Sequence, residues 1–326
     1  MSEPAKGASI PGCSVVIRAF NEEEHIGRLL FGILNQSLKE VEIILVDSGS
    51  TDATLAVASR YPVQVVSIPA EEFTFGRSLN RGCAVARADR IVVASAHVYP
   101  VYPDWLERLV APLADPRVAL AFGRQRGDAS THFSEKQVLA KWFPETSIPQ
   151  MPHPFCNNAN AAIRRDLWQR RPYDETLPGL EDVDWAIWAV SQGLGVSYVA
   201  EAEVIHVHRE SPRMVYNRYR REAMALKRLH PHEHFHLMDF VRLFLSNVAS
   251  DFWHALHQRS LSGNVGEILW FRWMQFWGTY RGFRQTGPLT GPLKQAFYYP
   301  RGYGRPAEAP RQEVTPIDYG HGGQAP

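Results

Sequence analysis

Acids and histidines stand at the ends of apolar runs along this chain, in the order Asn21-Glu22-Glu23, Asp47, Ser95-Ala96-His97, Glu181-Asp182 and His206-Val207-His208. A carboxylate can take the proton of an attacking hydroxyl, and a neutral imidazole can ligate a cation. In an open α/β sheet, ligands sit beyond the carboxyl ends of the strands, so residues of these types recurring there read as one site.

The elements that must position them follow from hydrophobic periodicity. Ser14 to Ile17 and Glu42 to Val46 are short apolar runs, separated by Ile26, Leu29, Leu30 and Ile33 at helical spacing. Ser50-Thr51-Asp52 is placed to cap a helix reaching about Arg60, before a third strand at Val63 to Ile68. A helix over Arg77 to Ala86 and a strand over Arg90 to Ala94 continue the alternation. Strands at Val118 to Gly123, Asn157 to Ile163, Val196 to Ala200 and Glu203 to Val207 come next, with helices at Arg165 to Arg170 and Glu181 to Ser191. The expected fold is α/β, a mostly parallel central sheet flanked by helices, followed by a C-terminal helical extension. It divides into a lead (1–12), a sheet domain (13–210), a basic aromatic extension (211–305) and a disordered tail (306–326).

Composition bounds the partners. The 326 residues are 45% hydrophobic with a formal net charge of +1, enough for a substantial core and no global attraction to nucleic acid. Three cysteines without CxxC spacing argue against a disulfide framework or a zinc ribbon and suit a reducing cytosol. The first residues, MSEPAKGASIPG, lack the apolar region of a secretory signal, and no uncharged apolar run approaches the roughly 18 residues that span a bilayer. Residues 211–305 carry 14 Lys/Arg against 5 acids. Trp270-Phe271-Arg272-Trp273 and Tyr280-Arg281-Gly282-Phe283-Arg284 interleave aromatics with arginine there, as a helix on an anionic membrane surface would. An appendage burying its aromatics on the sheet domain fits the same pattern.

Val15 to Glu23 and Ile43 to Asp52 resemble the paired N-terminal motifs of family 2 glycosyltransferases, which have the GT-A fold. The resemblance covers roughly residues 13 to 210, with the carboxylate and histidine pairs in the expected order. It implies inverting transfer of a sugar from a UDP- or dTDP-sugar to a hydroxyl acceptor, a glycan or lipid-linked glycan of cell-surface polysaccharide synthesis. The cysteine usage and the basic aromatic region together suggest a cytoplasmic enzyme, in reach of the inner face of the membrane.

On that resemblance Ala19, Phe20 and Glu22 contact the base and ribose, although the same acids suit a helix start. Asp47 accepts from the N3–H of uracil or thymine; an Asx-turn with Gly49 is the alternative. Phe73 to Gly82 resembles the rhamnosyltransferase-like branch, where Arg77 and Asn80 would reach the nucleotide or its phosphates; a plain surface helix is the alternative. Ser95-Ala96-His97 stands where most relatives carry Asp-x-Asp. His97 occupies the position of the second aspartate, leaving Ser95 and Ala96 as nucleotide-sugar contacts. His206, with His208 beside it, would complete the coordination. Imidazole favours Mn²⁺ over Mg²⁺, and metal independence is the alternative. Gly179 to Trp185 resembles the acceptor-side acid motif, with Asp182 as the base and Glu181 orienting the acceptor. Asn158 and Asn160, in the small-residue segment before it, are donor-sugar contacts. Loss of both usual aspartates also fits a degenerate nucleotide-sugar binder with a regulatory or scaffolding role.

Overall fold

The structure, a computed structural model, describes residues 11–285 and, beyond them, 287, 290, 293, 297 and 298. The disordered tail expected from 306, and most of the lead, lie outside the described residues. The first half alternates β1 (Cys13–Ala19), α1 (Ile26–Leu34), β2 (Val41–Asp47), α2 (Thr54–Ala58), β3 (Gln64–Ser67), α3 (Phe75–Val85) and β4 (Arg90–Ser95). After it come β5 (Val98–Pro100), α4 (Trp105–Val110), β6 (Val118–Arg126), α5 (Phe133–Trp142), β7 (Asn160–Arg164), α6 (Arg165–Arg170), α7 (Glu181–Ser191) and β8 (Gly195–His206). Three helices close the described chain: α8 (Pro212–Leu229), α9 (Leu237–His257) and α10 (Leu261–Phe283).

One sheet runs β3-β2-β1-β4-β7-β6-β8-β5. The β3-β2-β1-β4 half is parallel, as is β6-β8, whereas β7 is antiparallel to both neighbours and β5 to β8. This topology brings the chemistry to one edge. Strands β1, β2, β4, β6 and β8 all finish there, and β7 begins there, since Ala94 faces Asn160 across the ladder. β5 returns beside the end of β8, pairing Val98 with His206, so His97 stands next to the last residues of β8.

Apolar residues cover both faces, as strands buried on two sides require. Val15, Ile17, Leu29, Leu45 and Trp105 belong to one core, and Val16, Ile44, Leu79, Phe122 and Trp185 to the other. Alternate residues of β1 thus point to opposite cores, the period-two rule of a pleated strand. The cysteines are free and buried.

The helical region docks by close backbone approach. A Cβ on Gly278 of α10 would lie 2.5 Å from the Tyr216 carbonyl oxygen of α8, and one on Gly282 would press on the Arg220 carbonyl. Inside the angle between α5, α9 and α10, Arg272 donates to Asp251 at 2.7 and 2.8 Å, and Ser134 of α5 donates to the same carboxylate at 2.6 Å. Phe271 and Arg272 of the noted aromatic-arginine cluster are therefore buried.

Candidate active site

The loops after β1 and β2 clasp each other. Asn21, at φ 54°, accepts from the Thr51 amide at 2.8 Å while its own N–H donates to Ser50 Oγ at 3.0 Å. Glu22 N–H donates to Thr54 Oγ1, and Glu23 and Asp52 exchange bonds with each other's loops. α1 begins at Ile26, where the helical spacing begins, and Asn21, the alternative capping residue, is engaged across the two loops instead. α2 is likewise shorter than expected, ending at Ala58.

These loops border a cavity of about 1220 Å³ at the strand-end edge of the sheet, lined among others by Phe20, Glu22, Ser95, Asn158, Glu181, Asp182, and by His97, His206 and His208. One ring nitrogen from each of the three histidines lies within 4.8 Å of the others. His97 Nδ1 bonds Glu22 Oε1 at 2.8 Å, His206 Nδ1 bonds Gln125 Oε1 at 2.8 Å, and His208 Nδ1 bonds Glu135 Oε1 at 2.7 Å. Carboxylate and carbonyl oxygens only accept, so each Nδ1 carries the proton and each Nε2 presents a lone pair. His206 Nε2 and His208 Nε2 stand 2.8 Å apart. At that distance a proton or a cation must lie between the two nitrogens, and three converging imidazoles with an oriented outer shell are a donor set that fits a borderline metal ion. Burial, and next the neighbouring His208, hold His206 well below the ordinary imidazole value, in the neutral form a ligand needs. For His97 burial acts in the same direction, but the Glu22 carboxylate outweighs it and leaves the ring above its ordinary value.

The acid pair opens α7, whose preceding residue, Leu180, is held at φ 58°. For a branched side chain that conformation is costly and belongs to constrained sites. Glu181 accepts from Arg18 Nη1 at 3.2 Å and Asn158 Nδ2 at 3.4 Å. Asp182 accepts from the amides of Asn158 at 2.9 Å and Val183 at 2.8 Å. Burial, and next the Glu181 carboxylate, push Asp182 up to about 7. A carboxyl there can alternate between acid and base near neutral pH.

Other anticipated contacts lie elsewhere. Arg77 bonds Glu175 at 2.8 Å, and Asn80 bonds the Tyr173 carbonyl and Trp168 Nε1, so both anchor the segment leading to the acid motif rather than facing the cavity. Asn160 is fully buried and saturated, accepting from Trp105 Nε1 and donating to the carbonyls of Arg124 and Ala202. Asp47 is 3% exposed and bonds the Gly49 and Ser50 amides in an Asx-turn beneath the loop. Ala19 and Ala96 are buried behind the lining. Glu22 lines the cavity, with one carboxylate oxygen, Oε1, engaged by His97 Nδ1. The sequence pattern did not single out Gln125, Glu135 or Arg18 for roles. Arg18 lies within the first quoted motif, but nothing in its spacing points to Glu181.

Residues 14–171 match the sequence profile of glycosyl transferase family 2. The O-antigen chain rhamnosyltransferase RfbN of Salmonella typhimurium is 28% identical over 221 residues, 63% of this chain and 69% of that protein. The O-antigen chain rhamnosyltransferase WbaN of Salmonella anatum is 28% identical over 195 residues, covering 56% of this chain and 62% of its own length. Among solved structures, the mannosyltransferase PcManGT from Pyrobaculum calidifontis, in complex with GDP-Man and Mn²⁺, superposes with a TM-score of 0.58 at 17% identity, over 84% of this chain and 85% of that one. That likeness is one of fold. Residues 14–171 therefore carry a glycosyl transferase family 2 domain, and the chain has the α/β sheet fold of such enzymes with a helical C-terminal region. It is a glycosyltransferase of the rhamnosyltransferase-like branch.

Proposed function

We propose that this enzyme transfers a sugar from a UDP- or dTDP-sugar to a hydroxyl of a glycan or lipid-linked acceptor, with inversion, in cell-surface polysaccharide synthesis on the cytoplasmic side. The observation that carries the reading is one cavity lined by both the imidazole cluster and the Glu181–Asp182 pair. Asp182 takes the proton of the acceptor hydroxyl as its oxygen attacks the anomeric carbon, and the nucleoside diphosphate departs in the same displacement. Glu181, held by Arg18 and Asn158, orients the acceptor. His97, His206 and His208 would hold a divalent cation, Mn²⁺ in preference to Mg²⁺, which would supply positive charge against the diphosphate.

The loop at Phe20, with Ser95 and Asn158, flanks the donor. Since the Asp47 carboxylate is engaged by Gly49 and Ser50, the case for dTDP-rhamnose as donor rests on the rhamnosyltransferase relatives. Residues 13–210 form the catalytic unit, and α8 from the following region walls it through Met214, Asn217 and Arg221. A degenerate binder is not favoured, because His97 stands in the motif that lacks the aspartates and His206 and His208 converge on it. Thermal shift and nucleoside diphosphate release across a panel of nucleotide sugars, with and without Mn²⁺, test this. A stabilising, Mn²⁺-dependent donor that is turned over is expected; binding without release from any donor would return the degenerate reading.

A further inference from the structure

The α9–α10 hairpin exposes an apolar face that nothing in the described chain covers. On α9, Met238, Val241, Leu245, Trp253 and Leu256 recur at helical spacing on the outer side, with Met238 74% and Leu256 61% exposed. Leu269 and Trp273 continue the surface on α10, where Trp273 packs edge-on against Phe240 and Phe244 of α9. At about 1.5 Å per residue such a helix presents a strip roughly 30 Å long.

The net charge around this strip is positive. Arg242, Arg259 and Arg281 are exposed. Of the carboxylates on these two helices, Asp239 accepts from the His236 amide and pairs with Arg242 at 3.4 Å, whereas Asp251 is held by Arg272 in the interior and Glu267 by His132. A second copy would repeat the net positive charge of this face, whereas an anionic surface would complement it. Among the described residues no helix is long and apolar enough to cross a bilayer. A cationic, apolar strip on helices that do not span is the combination that lies flat in an anionic lipid interface, with tryptophans at the headgroup boundary.

We propose that the outer face of α9 and the adjoining row of α10 form the site by which this protein docks on an anionic lipid surface. The aromatic-arginine runs visible in the sequence belong to that face only in part: Trp273 and Arg281 are exposed, Phe271 and Arg272 are buried, and the docking strip lies mainly on α9. The placement also bears on the cavity. α10 packs on α8 through Gly278 and Gly282, and α8 lines the cavity, so docking would fix the cavity's orientation relative to the bilayer. The site is independent of sugar transfer and is testable without turnover.

The test is co-sedimentation of the full chain with vesicles of phosphatidylcholine alone and of phosphatidylcholine mixed with phosphatidylglycerol. Expected are binding to the mixed vesicles, its weakening by salt, and at least about a tenfold loss of partition for the double variant Leu245→Glu/Leu256→Glu. Arg242→Glu should weaken binding to the mixed vesicles while leaving any weak binding to neutral ones unchanged. Both variants alter exposed positions, and unchanged thermal melting and donor hydrolysis would show that the fold and cavity persist. Absence of partition to the mixed vesicles overturns the proposal, as does partition unaltered in the double variant. A lipid-free dimer that the double variant dissociates would assign the face to a second copy instead.

Discussion

Replacing Asp182 with Asn should abolish transfer and, above neutral pH, make the protein more stable. Burial and the adjacent Glu181 raise this carboxyl from 3.8 to about 7. That difference corresponds to about 4 kcal/mol by which the fold disfavours the ionised form at pH above both values. The folded chain therefore binds the proton more tightly than the unfolded chain, and the group's contribution to stability is full below the unfolded value and lost as pH rises through about 7. An amide removes the ionisation. It also turns an NH₂ toward one of the two amides that now donate to the carboxylate, from Asn158 or Val183, at a cost of about 1–3 kcal/mol. The net expectation is a gain of about 1–3 kcal/mol near pH 8, vanishing or reversing near pH 5. Loss of the base should lower turnover by about 10²–10⁴-fold. Urea unfolding of both proteins at the two pH values, with nucleoside diphosphate release alongside, measures both effects. A variant that is less stable near pH 8, or that keeps near-normal turnover, would refute the reasoning.

Arg18 is among the charges that lower Asp182, so Arg18→Ala should move the acidic limb of the pH–rate profile upward; an unmoved limb would leave Arg18 without influence on the base. Gln125 and Glu135 fix the protons on His206 and His208, and Gln125→Ala or Glu135→Gln should weaken Mn²⁺ binding by about 10–100-fold in calorimetry although neither residue lines the cavity. Asp251→Asn strands the buried Arg272 guanidinium and should cost about 3–5 kcal/mol in chemical unfolding, whereas replacing both residues with apolar side chains of similar volume should be close to neutral.

Strand ends and their order were legible in the sequence because apolar runs bounded by polar residues report directly on a sheet buried on both faces. The expected strands of the N-terminal half are present, and their ends converge on the cavity, as do the histidines and the acid pair. Other features were not legible, for physical reasons. α5 buries Ser134 and Glu135 beside Phe133 and Leu139, so its inward face has no apolar period to read. α8 turns Arg218 onto Glu135 and Glu210 and lines the cavity with Arg221, so its arginines read as solvent-facing charge although they face inward. Asp47, Arg77, Asn80 and Asn160 are residue types that serve a ligand or a loop equally well. Tertiary partners decide which, and for these four the partners are loop amides, Glu175, Tyr173 and buried carbonyls.

The most direct measurement is nucleoside diphosphate release from the donor that the panel selects, with acceptor and Mn²⁺, compared among the wild-type protein, Asp182→Asn and a variant lacking the three imidazoles. Release by the wild type, with both variants reduced by at least about a hundredfold while still folded, is the predicted result. Equal release by either folded variant would contradict a single cavity in which the carboxylate and the histidines act on one donor.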